Sequence, residues 1–545
     1  MRIKKLFVSD MDGTFLNDQG SYDRKRLVAL LDDFDRLGYL FAVASGRGLL
    51  ALDKLFAGLT NRIAMIAENG AFVRYQDQVI FEDTMLPDEV ARVVEALRHN
   101  PYLTEDKYLL SGQRGSYATQ QAAATYVADL AHYYENLQQV DDLLAVDDNI
   151  YKLTAQFTKD TLLDGIVAFN QRETGFVAVA VGDDSVDIIR QGSNKALGLM
   201  KLCQQLGLDV SQVTAFGDNG NDLELMSQVG QAIAVANAIP AIKERASQVI
   251  GHHETGAVLT YLEQAAADIK LLALDLDGTL FTTDKQVSPE NKLALQLAKE
   301  KGVDIVITTG RPLKAIGNLI EEELGLQGWD QYSITFNGGL VQRNDGTVVA
   351  HHPMSMDEIA QVQAVMAQLA LPVDVISDGT VYSIPSQGKA SLYHTANPML
   401  DFIQLDSLAD LPKDKVYNKI VIVCEADYLD QRIAQLPASL SQQFEVFKSR
   451  EIILEVMPKG VHKAQGLADL CQMLGLAPHQ VMTMGDEEND LTMLAWAGWG
   501  VAMGNAVPAA KAAARLSVTR TNDQSGVAEA IYRYIVKEEM TDGLV

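Results

Sequence analysis

Two carboxylates stand one residue apart at two places in the chain, each time directly after an apolar run. They are Asp10 with Asp12 and Asp275 with Asp277, and each pair is followed by Gly-Thr. Ionised carboxylates this close repel each other unless a cation lies between them. In an open α/β sheet, ligands bind beyond the carboxyl ends of the strands. The pattern therefore predicts a cation-dependent site at the end of each apolar strand.

Three further motifs recur in the same order in both halves of the chain. They are Ser-Gly-Arg or Thr-Gly-Arg, a lysine in the first turn of a helix, and Gly-Asp-x-x-Asn-Asp. Their polar members and adjoining glycines are Ser45, Gly46, Arg47, Lys195, Asp218, Asn221 and Asp222, then Thr309, Gly310, Arg311, Lys463, Asp486, Asn489 and Asp490. Separately, each motif is more often a turn, a helix cap or a surface charge. All four in one order, twice, favour a functional site.

This mixture of side chains is typical of phosphoryl transfer. Lysine, hydroxyl and backbone N–H groups can stabilise the oxygens of the transferred group, and Mg²⁺ prefers oxygen ligands. A carboxylate nucleophile forms an aspartyl-phosphate, and a second carboxylate can donate and then accept a proton. The predicted roles are nucleophile for Asp10 and Asp275, acid/base for Asp12 and Asp277, hydroxyl donor for Ser45 and Thr309, and neutralising cation for Lys195 and Lys463. The residues predicted around one Mg²⁺ are Asp10, Asp12, Asp218 and Asp222 in the first half, and Asp275, Asp277, Asp486 and Asp490 in the second half. Asp222 and Asp490 are predicted to orient ligands or bound waters.

The elements that must position these residues follow a strand–helix rhythm. Apolar runs predict strands at 3–9 and 39–44, and an amphipathic pattern predicts a helix near 23–37 between them. Helical and short β-like patterns interrupt the rhythm once in each half. We therefore predict an α/β protein with two cores, each a parallel sheet covered by helices on both faces and each carrying an inserted α/β cap. The predicted bounds are 1–83 and 189–268 for the first core, 84–188 for the first cap, 269–352 and 457–545 for the second core, and 353–456 for the second cap.

The spacing of the motifs indicates that one architecture occurs twice. The separation between Asp10 and Asp275 is slightly shorter than the separation between Lys195 and Lys463. The longer separation then holds for every later motif. A period of about half the chain excludes a solenoid repeat, so the pattern predicts a domain duplication with small changes in early loops.

Composition and charge narrow the class of partner. The net charge of -27 argues against nucleic acid and against an anionic membrane surface. Three cysteines in 545 residues indicate a reducing compartment without a disulfide framework, and Cys203 and Cys471 are expected in the core. The chain reaches Asp10 after a very short apolar run, so we expect no signal peptide. The expectation is a cytoplasmic protein without a membrane span.

These motifs resemble those of the haloacid dehalogenase superfamily, specifically the Cof-type sugar-phosphate phosphatases, in two copies that cover essentially the whole chain. Asn69-Gly70 and Asn337-Gly338 match the Asn-Gly turn that precedes the cap in that family. The resemblance implies a Rossmann-like core and Mg²⁺-dependent hydrolysis through an aspartyl-phosphate. It also implies that Asn221 and Asn489 contact phosphate beside the lysine. The predicted substrate-binding residues are Gly46, Arg47, Asn69, Asn221, Gly310, Arg311, Asn337 and Asn489.

The resulting hypothesis is a phosphatase with two active sites that acts on small phosphorylated metabolites, sugar phosphates first. A dehalogenase fits less well, because it needs neither the second acid nor Mg²⁺. A phosphomutase or phosphotransferase of the same superfamily is an alternative, and so is one active half beside a scaffold or ligand-sensing half. The caps are expected to select the substrate, with Arg114, Tyr117, Asp378 and Tyr382 as candidate contacts. The expected assembly is a monomer with an internal pseudo-dimer, or a homodimer.

Overall fold

Four β-sheets, two in each half of the chain, are present in the computed structural model, which describes residues 2–103, 106–130, 134–181, 184–326 and 331–537. The chain divides into a first unit, 1–266, and a second unit, 267–545. Strands and helices alternate in both units, which confirms the predicted α/β class. Within the described ranges, every helix is too short or too polar to span a bilayer.

The strands of the first unit, in chain order, are β1 (Lys5–Ser9), β2 (Tyr39–Ala44), β3 (Ala64–Ala67), β4 (Phe72–Tyr75), β5 (Gln78–Glu82), β6 (Tyr108–Gly112), β7 (Ser116–Thr119), β8 (Leu137–Val140), β9 (Ile150–Gln156), β10 (Phe176–Ala180), β11 (Ser185–Arg190), β12 (Val213–Gly217), β13 (Gln231–Ala234) and β14 (Gln248–Val249). Its helices are α1 (Arg24–Leu37), α2 (Leu49–Leu55), α3 (Pro87–Arg98), α4 (Ala124–Leu130), α5 (Leu162–Arg172), α6 (Lys195–Leu206), α7 (Leu223–Gln228), α8 (Pro240–Arg245) and α9 (Ala257–Ala266).

The core sheet of the first unit has the order β14-β13-β12-β1-β2-β3-β4-β5. Pairing is parallel from β14 to β3, and β4 and β5 add an antiparallel hairpin that the sequence patterns did not predict. Leu6, Phe7 and Val8 of the central strand are fully buried, as expected for a run that is apolar on both faces. Because β1, β2 and β12 run parallel, the loops after them meet at one edge of the sheet.

Helix ends in the first unit follow from local side-chain chemistry. The carboxylate of Asp23 accepts the backbone N–H of Arg26 and begins α1, and Gly38, at φ +72°, ends it. Likewise the amide oxygen of Asn194 accepts the backbone N–H of Leu197, 2.9 Å away. This cap fixes the start of α6 and so places Lys195 at its first position.

A second sheet is inserted between β5 and β12, with the order β10-β11-β9-β6-β7-β8. Its strands are mostly antiparallel and pack on α3 and α5 through a separate apolar cluster. We propose 84–188 as the first cap; the last inserted strand continues beyond that bound, to Arg190. The helix expected at 120–135 is observed as α4, and residues 131–133 lie outside the described residues.

The strands of the second unit, in chain order, are β15 (Leu271–Leu274), β16 (Asp304–Thr308), β17 (Tyr332–Thr335), β18 (Leu340–Arg343), β19 (Val348–His351), β20 (Val373–Ser377), β21 (Thr380–Ile384), β22 (Asp401–Gln404), β23 (Lys419–Val423), β24 (Phe444–Arg450), β25 (Ile453–Pro458), β26 (Val481–Gly485), β27 (Trp499–Ala502) and β28 (Leu516–Ser517). Its helices are α10 (Pro289–Glu300), α11 (Met356–Gln368), α12 (Tyr393–Ala396), α13 (Ala426–Ile433), α14 (Ala438–Gln443), α15 (Lys463–Leu474), α16 (Leu491–Trp496), α17 (Pro508–Ala513) and α18 (Gly526–Ile531).

The second unit repeats the topology of the first. Its core sheet has the order β19-β18-β17-β16-β15-β26-β27-β28, and its inserted sheet has the order β22-β21-β20-β23-β25-β24. When the strand order of each of these sheets is reversed, it matches the order of the corresponding sheet in the first unit, strand by strand. We propose 353–456 as the second cap, although β25 continues to Pro458. The equivalence allows the two candidate sites to be compared position by position.

Candidate active sites

The loop after the central strand brings the first carboxylate pair against the Asp218 loop. Thr14 Oγ1 donates a hydrogen bond to Asp218 Oδ1 at 2.7 Å. Gly13 lies between them at φ +78°, and a Cβ there would lie 2.6 Å from Asp218 Oδ2. Only glycine tolerates both that backbone conformation and that approach. The Gly-Thr of the motif therefore holds a carboxylate from another strand beside Asp10.

The second unit has the same arrangement around the Asp486 loop. Thr279 Oγ1 donates to Asp486 Oδ1 at 2.7 Å. A Cβ on Gly278, at φ +80°, would overlap Asp486 Oδ2. In each unit an asparagine side chain also donates to the glycine carbonyl, Asn237 at 2.7 Å and Asn505 at 2.8 Å. Both acid loops are thus held by matching contacts.

A buried lysine joins the predicted nucleophile to another carboxylate in each unit. Lys195 is 1% exposed and donates to Asp10 and to Asp222 Oδ1, the latter at 2.7 Å. Lys463 is fully buried and donates to Asp275 Oδ1 at 2.5 Å and to Asp490 Oδ1 at 2.6 Å. A buried ammonium needs partners that compensate its charge, and the carboxylate oxygens are those partners. The geometry therefore gives each lysine a charge-neutralising position.

Asp222 and Asp490 also hold the Gly-Asp loops in shape. Asp222 Oδ2 accepts the backbone N–H groups of Asp218 and Asn219 at 3.1 and 3.2 Å. Asp490 Oδ2 accepts those of Asp486 and Glu487 at 2.9 and 3.1 Å. Since the other oxygen of each carboxylate binds the lysine, these residues orient the loop and the ammonium together.

Three carboxylates in each unit are close enough to share a cation. One oxygen from each of Asp10, Asp218 and Asp222 lies within 4.8 Å of the others, and the same holds for Asp275, Asp486 and Asp490. Oxygen donors of this kind suit Mg²⁺, which binds through one or two carboxylates and keeps several waters. The close approach at Gly13 and Gly278 brings the carboxylates together without a side chain between them. The residues present therefore fit a divalent cation in each unit.

Burial is the main cause of the raised pKa values of the carboxylates in these clusters, and neighbouring carboxylates add to it. Burial, opposed by Lys463 and reinforced by Asp490, raises the pKa of Asp275 to about 7. Burial and the neighbouring Asp275 raise the pKa of Asp486 to about 8. In the first unit burial likewise raises the pKa of Asp10 well above its usual range. Burial lowers the pKa of Lys463, but its two carboxylates raise it by more, so the net shift is upward.

Asp12 and Asp277, predicted as acid/bases and as metal ligands, lie beside the arginine of the second motif. Arg47 donates from Nε to Asp12 Oδ2 at 2.9 Å and from Nη2 to Oδ1 at 2.5 Å. Arg311 makes the same two-pronged contact with Asp277 at 3.0 and 2.7 Å. The three-carboxylate clusters do not include these two aspartates among the described residues. Both roles of these two aspartates stay predictions, and the structure shows each carboxylate paired with the arginine of the second motif.

The remaining predicted residues lie around the same cavities. Ser45 Oγ and Thr309 Oγ1 each accept the backbone N–H of the nearby arginine, at 3.1 and 3.2 Å. The cavity walls also include predicted substrate-binding residues, namely Gly46, Arg47 and Asn221 in the first unit and Gly310, Arg311 and Asn489 in the second. The structure therefore brings all four motifs to one edge of each core sheet.

A lysine from the first inserted sheet reaches into the core, which the sequence reasoning missed. Lys152 on β9 is 2% exposed and donates to the carbonyl of Gly46 and to Asp187 Oδ2, the latter at 2.8 Å. Asn69 donates to the same carboxylate oxygen at 2.7 Å. Glu68 lies 3.5 Å from the ammonium. Asn69, predicted as a substrate-binding residue, thus contacts the inserted sheet and is not among the described residues that line the cavity.

The second unit contains the equivalent contacts. Lys419 on β23 donates to the carbonyl of Gly310 at 2.7 Å and to Glu455 Oε2 at 2.5 Å. Asn337 donates to Glu455 Oε2 at 2.9 Å. A charged residue at equivalent positions inside two apolar strands is the sequence signal that marks these residues.

The two cavities differ in size and lining. The first has a volume of about 650 Å³ and the second about 80 Å³. Tyr126, Tyr134 and Asp184 line the first, whereas Tyr393 and Arg450 line the second. The candidate cap contacts Arg114, Tyr117, Asp378 and Tyr382 are absent from both linings among the described residues. The side chains of Arg114 and Tyr117 instead bind Asp148, at 3.3 and 2.9 Å.

Known proteins match each half of the chain separately. YxeH of Bacillus subtilis is 32% identical over 273 residues, which is 49% of this chain and 98% of that protein. The 5-amino-6-(5-phospho-D-ribitylamino)uracil phosphatase YbjI of Escherichia coli is 33% identical over 264 residues, 48% of this chain and 95% of that protein. A haloacid dehalogenase-like hydrolase from Bacteroides thetaiotaomicron of known structure is 29% identical, with a TM-score of 0.43, over 49% of this chain and 99% of that chain. A family model for haloacid dehalogenase-like hydrolases matches residues 7–262 and again residues 272–531. The chain therefore belongs to the haloacid dehalogenase-like hydrolases and contains two tandem copies of the family's fold.

Proposed function

We propose that each unit is a Mg²⁺-dependent phosphatase that hydrolyses small phosphorylated metabolites, sugar phosphates above all, through an aspartyl-phosphate. The observation that carries the proposal is the buried lysine that bridges the nucleophile candidate and a second carboxylate, beside a third carboxylate. It occurs in both units, as Lys195 with Asp10 and as Lys463 with Asp275. One Mg²⁺ in each core completes the proposed sites.

The substrate class rests on the first cavity and on the relatives. A cavity of about 650 Å³ has room for a sugar or polyol, and Tyr126, Gln156 and Ser185 in its wall offer hydrogen bonds to hydroxyl groups. Relatives from Escherichia coli and Bacillus subtilis are phosphatases of a phosphoribityl compound. A ribityl chain is a polyol, which is consistent with a sugar-like leaving group in this protein.

In the proposed reaction, a carboxylate oxygen of Asp275 attacks phosphorus and the ester oxygen leaves. Lys463 favours the ionised form of that carboxylate and neutralises charge on the transferred group. Asp277 gives a proton to the leaving oxygen. Water then attacks the phosphorus of the aspartyl-phosphate and gives a proton to Asp277, which releases inorganic phosphate and restores the Asp275 carboxylate. The carboxylates Asp275 and Asp486 would hold Mg²⁺, which supplies positive charge to the phosphoryl oxygens. Because Arg311 occupies both oxygens of Asp277, proton transfer requires that contact to open.

The first unit uses the same residues at equivalent positions. Asp10 is the nucleophile, Asp12 the acid/base, Lys195 the neutralising cation, and Asp218 the third carboxylate. A complete set in each unit supports two active sites over one active half beside a scaffold or sensor. A phosphomutase would return the phosphoryl group to a sugar, and a requirement for a bisphosphate activator would reveal it.

The test is phosphate release from a panel of sugar phosphates with and without Mg²⁺. Asp10→Asn and Asp275→Asn should each remove the turnover of one unit, and the double variant should remove all of it. Asp→Asn keeps the shape and removes the nucleophilic charge, so the fold should persist, which circular dichroism would verify. Turnover by the double variant would refute the nucleophile assignment, and unchanged turnover in chelator would refute the Mg²⁺ requirement.

A further inference from the structure

Three basic side chains contact the acid/base candidate of the second site. Asp277 accepts from Arg311 at 2.7 and 3.0 Å, from Lys285 Nζ at 2.6 Å, and from Arg450 Nη2 at 3.0 Å. Lys285 belongs to the loop after the acid motif, and Arg450 ends strand β24 of the inserted sheet. Three cations thus surround one carboxylate at the mouth of the second cavity.

The two additional cations occupy positions that are glycine in the first unit. Lys285 corresponds to Gly20, because the separation between them equals the separation between the two nucleophile candidates. Both have left-handed backbone, φ +61° and φ +67°. L-residues other than glycine adopt this conformation at a cost, so a lysine here is not a neutral choice. Strands β24 and β25 are separated from their counterparts β10 and β11 by a constant number of residues. By that separation Arg450 corresponds to Gly182, which lies outside the described residues.

Both cations are reachable from solvent while they contact Asp277. The side chain of Lys285 is 53% exposed and that of Arg450 is 39% exposed. The neighbouring Ser449 Oγ is buried in the cavity wall and has no hydrogen-bond partner among the described residues. Exposed cations that share one carboxylate can bind a further anion.

We propose that Lys285 and Arg450 form a subsite in the second unit for a second anionic group of the substrate. That group is a carboxylate or a second phosphate on the leaving-group side, and the second unit prefers phosphate esters that carry one. The proposal deepens the proposed function of the second unit and rests on it. Arg450 exchanges its contact with Asp277 for the substrate anion, and Lys285 adds a second charge.

Binding is measured by calorimetry with the full chain carrying Asp10→Asn and Asp275→Asn, in the presence of Mg²⁺, so that no ester is consumed. The probe pairs are glycerol 3-phosphate against 3-phosphoglycerate, and fructose 6-phosphate against fructose 1,6-bisphosphate. The first pair tests a carboxylate and the second pair tests a second phosphate. Arg450→Gln and Lys285→Gly are then added; glycine relieves the left-handed backbone, so Lys285→Gly should fold. Lys448→Gln is the control, because Lys448 lies on the same strand but pairs with Asp430.

The expected result is that each variant weakens binding of at least one of the two probes with a second anionic group about tenfold. The preference for that probe over its partner, which has only one phosphate, should fall by the same factor. Arg450→Lys should restore part of the preference, and Lys448→Gln should leave it unchanged. An anionic preference that survives Arg450→Gln together with Lys285→Gly would overturn the subsite, and so would the absence of any preference before substitution. Turnover in the Asp10→Asn chain reports separately on the proposed function. If that chain releases no phosphate while the binding preference depends on Arg450, the phosphatase activity of the second unit fails and the anion subsite stands.

Discussion

Replacing the buried lysine of the second site by an isosteric apolar residue tests the electrostatic basis of the site. Lys463 is fully buried and lies 2.5 and 2.6 Å from two carboxylates that are themselves buried. Removing one partner of a buried ion pair costs roughly 3–5 kcal/mol, because the remaining charge is left uncompensated. With two carboxylates left, we expect Lys463→Met to lower the unfolding free energy of the second unit toward the upper end of that range.

Tryptophan fluorescence during urea unfolding reports on this unit alone. All three tryptophans of the sequence lie within 267–545. Trp499 is fully buried and its indole donates to the carbonyl of His479 at 3.0 Å, so unfolding changes its environment. The measurement is made in chelator, so that a bound cation does not replace the lost ammonium. Lys448→Met is the matched control; its exposed pair with Asp430 should contribute no more than about 1 kcal/mol.

Two further results follow from the same reasoning. Adding Asp490→Asn to Lys463→Met should recover roughly 1–3 kcal/mol, because one of the stranded charges is removed. Activity, measured as phosphate release in the Asp10→Asn background, should not return. The loss should be smaller at pH 5 than at pH 8, since Asp275 is protonated at the lower pH. A loss below about 1 kcal/mol, or one that does not change with pH, would refute the view that Lys463 neutralises buried carboxylates.

Two other predictions concern the close approach at the acid loop and the pH dependence of the metal-free protein. Gly278→Ala should reduce the turnover of the second unit at least about 100-fold, because the new Cβ would overlap Asp486 Oδ2. Gly346→Ala is the control: Gly346 has φ +91° and no atom within 4 Å of the added Cβ, so this variant should cost only backbone strain of roughly 1–2 kcal/mol. Equal losses of activity in the two alanine variants would contradict this explanation. In chelator, the unfolding free energy of the second unit should fall as pH rises from about 4 to about 8. In the native state Asp275 and Asp486 have pKa values of about 7 and about 8, so they retain protons that the unfolded chain has lost. Mg²⁺ should accordingly raise the midpoint of thermal unfolding more at pH 8 than at pH 6, and a Mg²⁺ effect independent of pH would count against the carboxylate cluster as its binding site.

The parts of the fold and site that depend on local pattern were predictable from the sequence. The spacing of apolar and polar residues predicted a helix at 289–300, and α10 is observed as Pro289–Glu300. Three of the four motifs could be brought together in advance, because each follows a strand of one parallel core sheet. That rule needs only the order of the elements, and the Asp486 loop is indeed placed beside Asp275 by it. The lysine motif instead begins α6 or α15, directly after the last strand of the inserted sheet.

Contacts that depend on the register between the inserted sheet and the core were not predictable. Lys152 and Asp187 are distant in sequence from the Gly46 carbonyl and from Asn69, and only the packed sheet shows that they meet. Asp277 illustrates a different reason. The motif predicted it as an acid/base and a metal ligand, but its contact with Arg450 could not be predicted, because that contact depends on where β24 ends. The antiparallel hairpins at the sheet edges were missed because short apolar runs have no distinctive period.

The tandem arrangement has a consequence for how the two proposed activities relate in a cell. Every copy of this polypeptide carries one of each unit, so a change in expression multiplies both reaction capacities by the same factor. The relative rates of the two reactions are then set only by the turnover numbers and by the levels of their substrates. A difference at one site only, such as lysine at position 285 where the first unit has Gly20, can therefore shift that balance, whereas a change in protein abundance cannot.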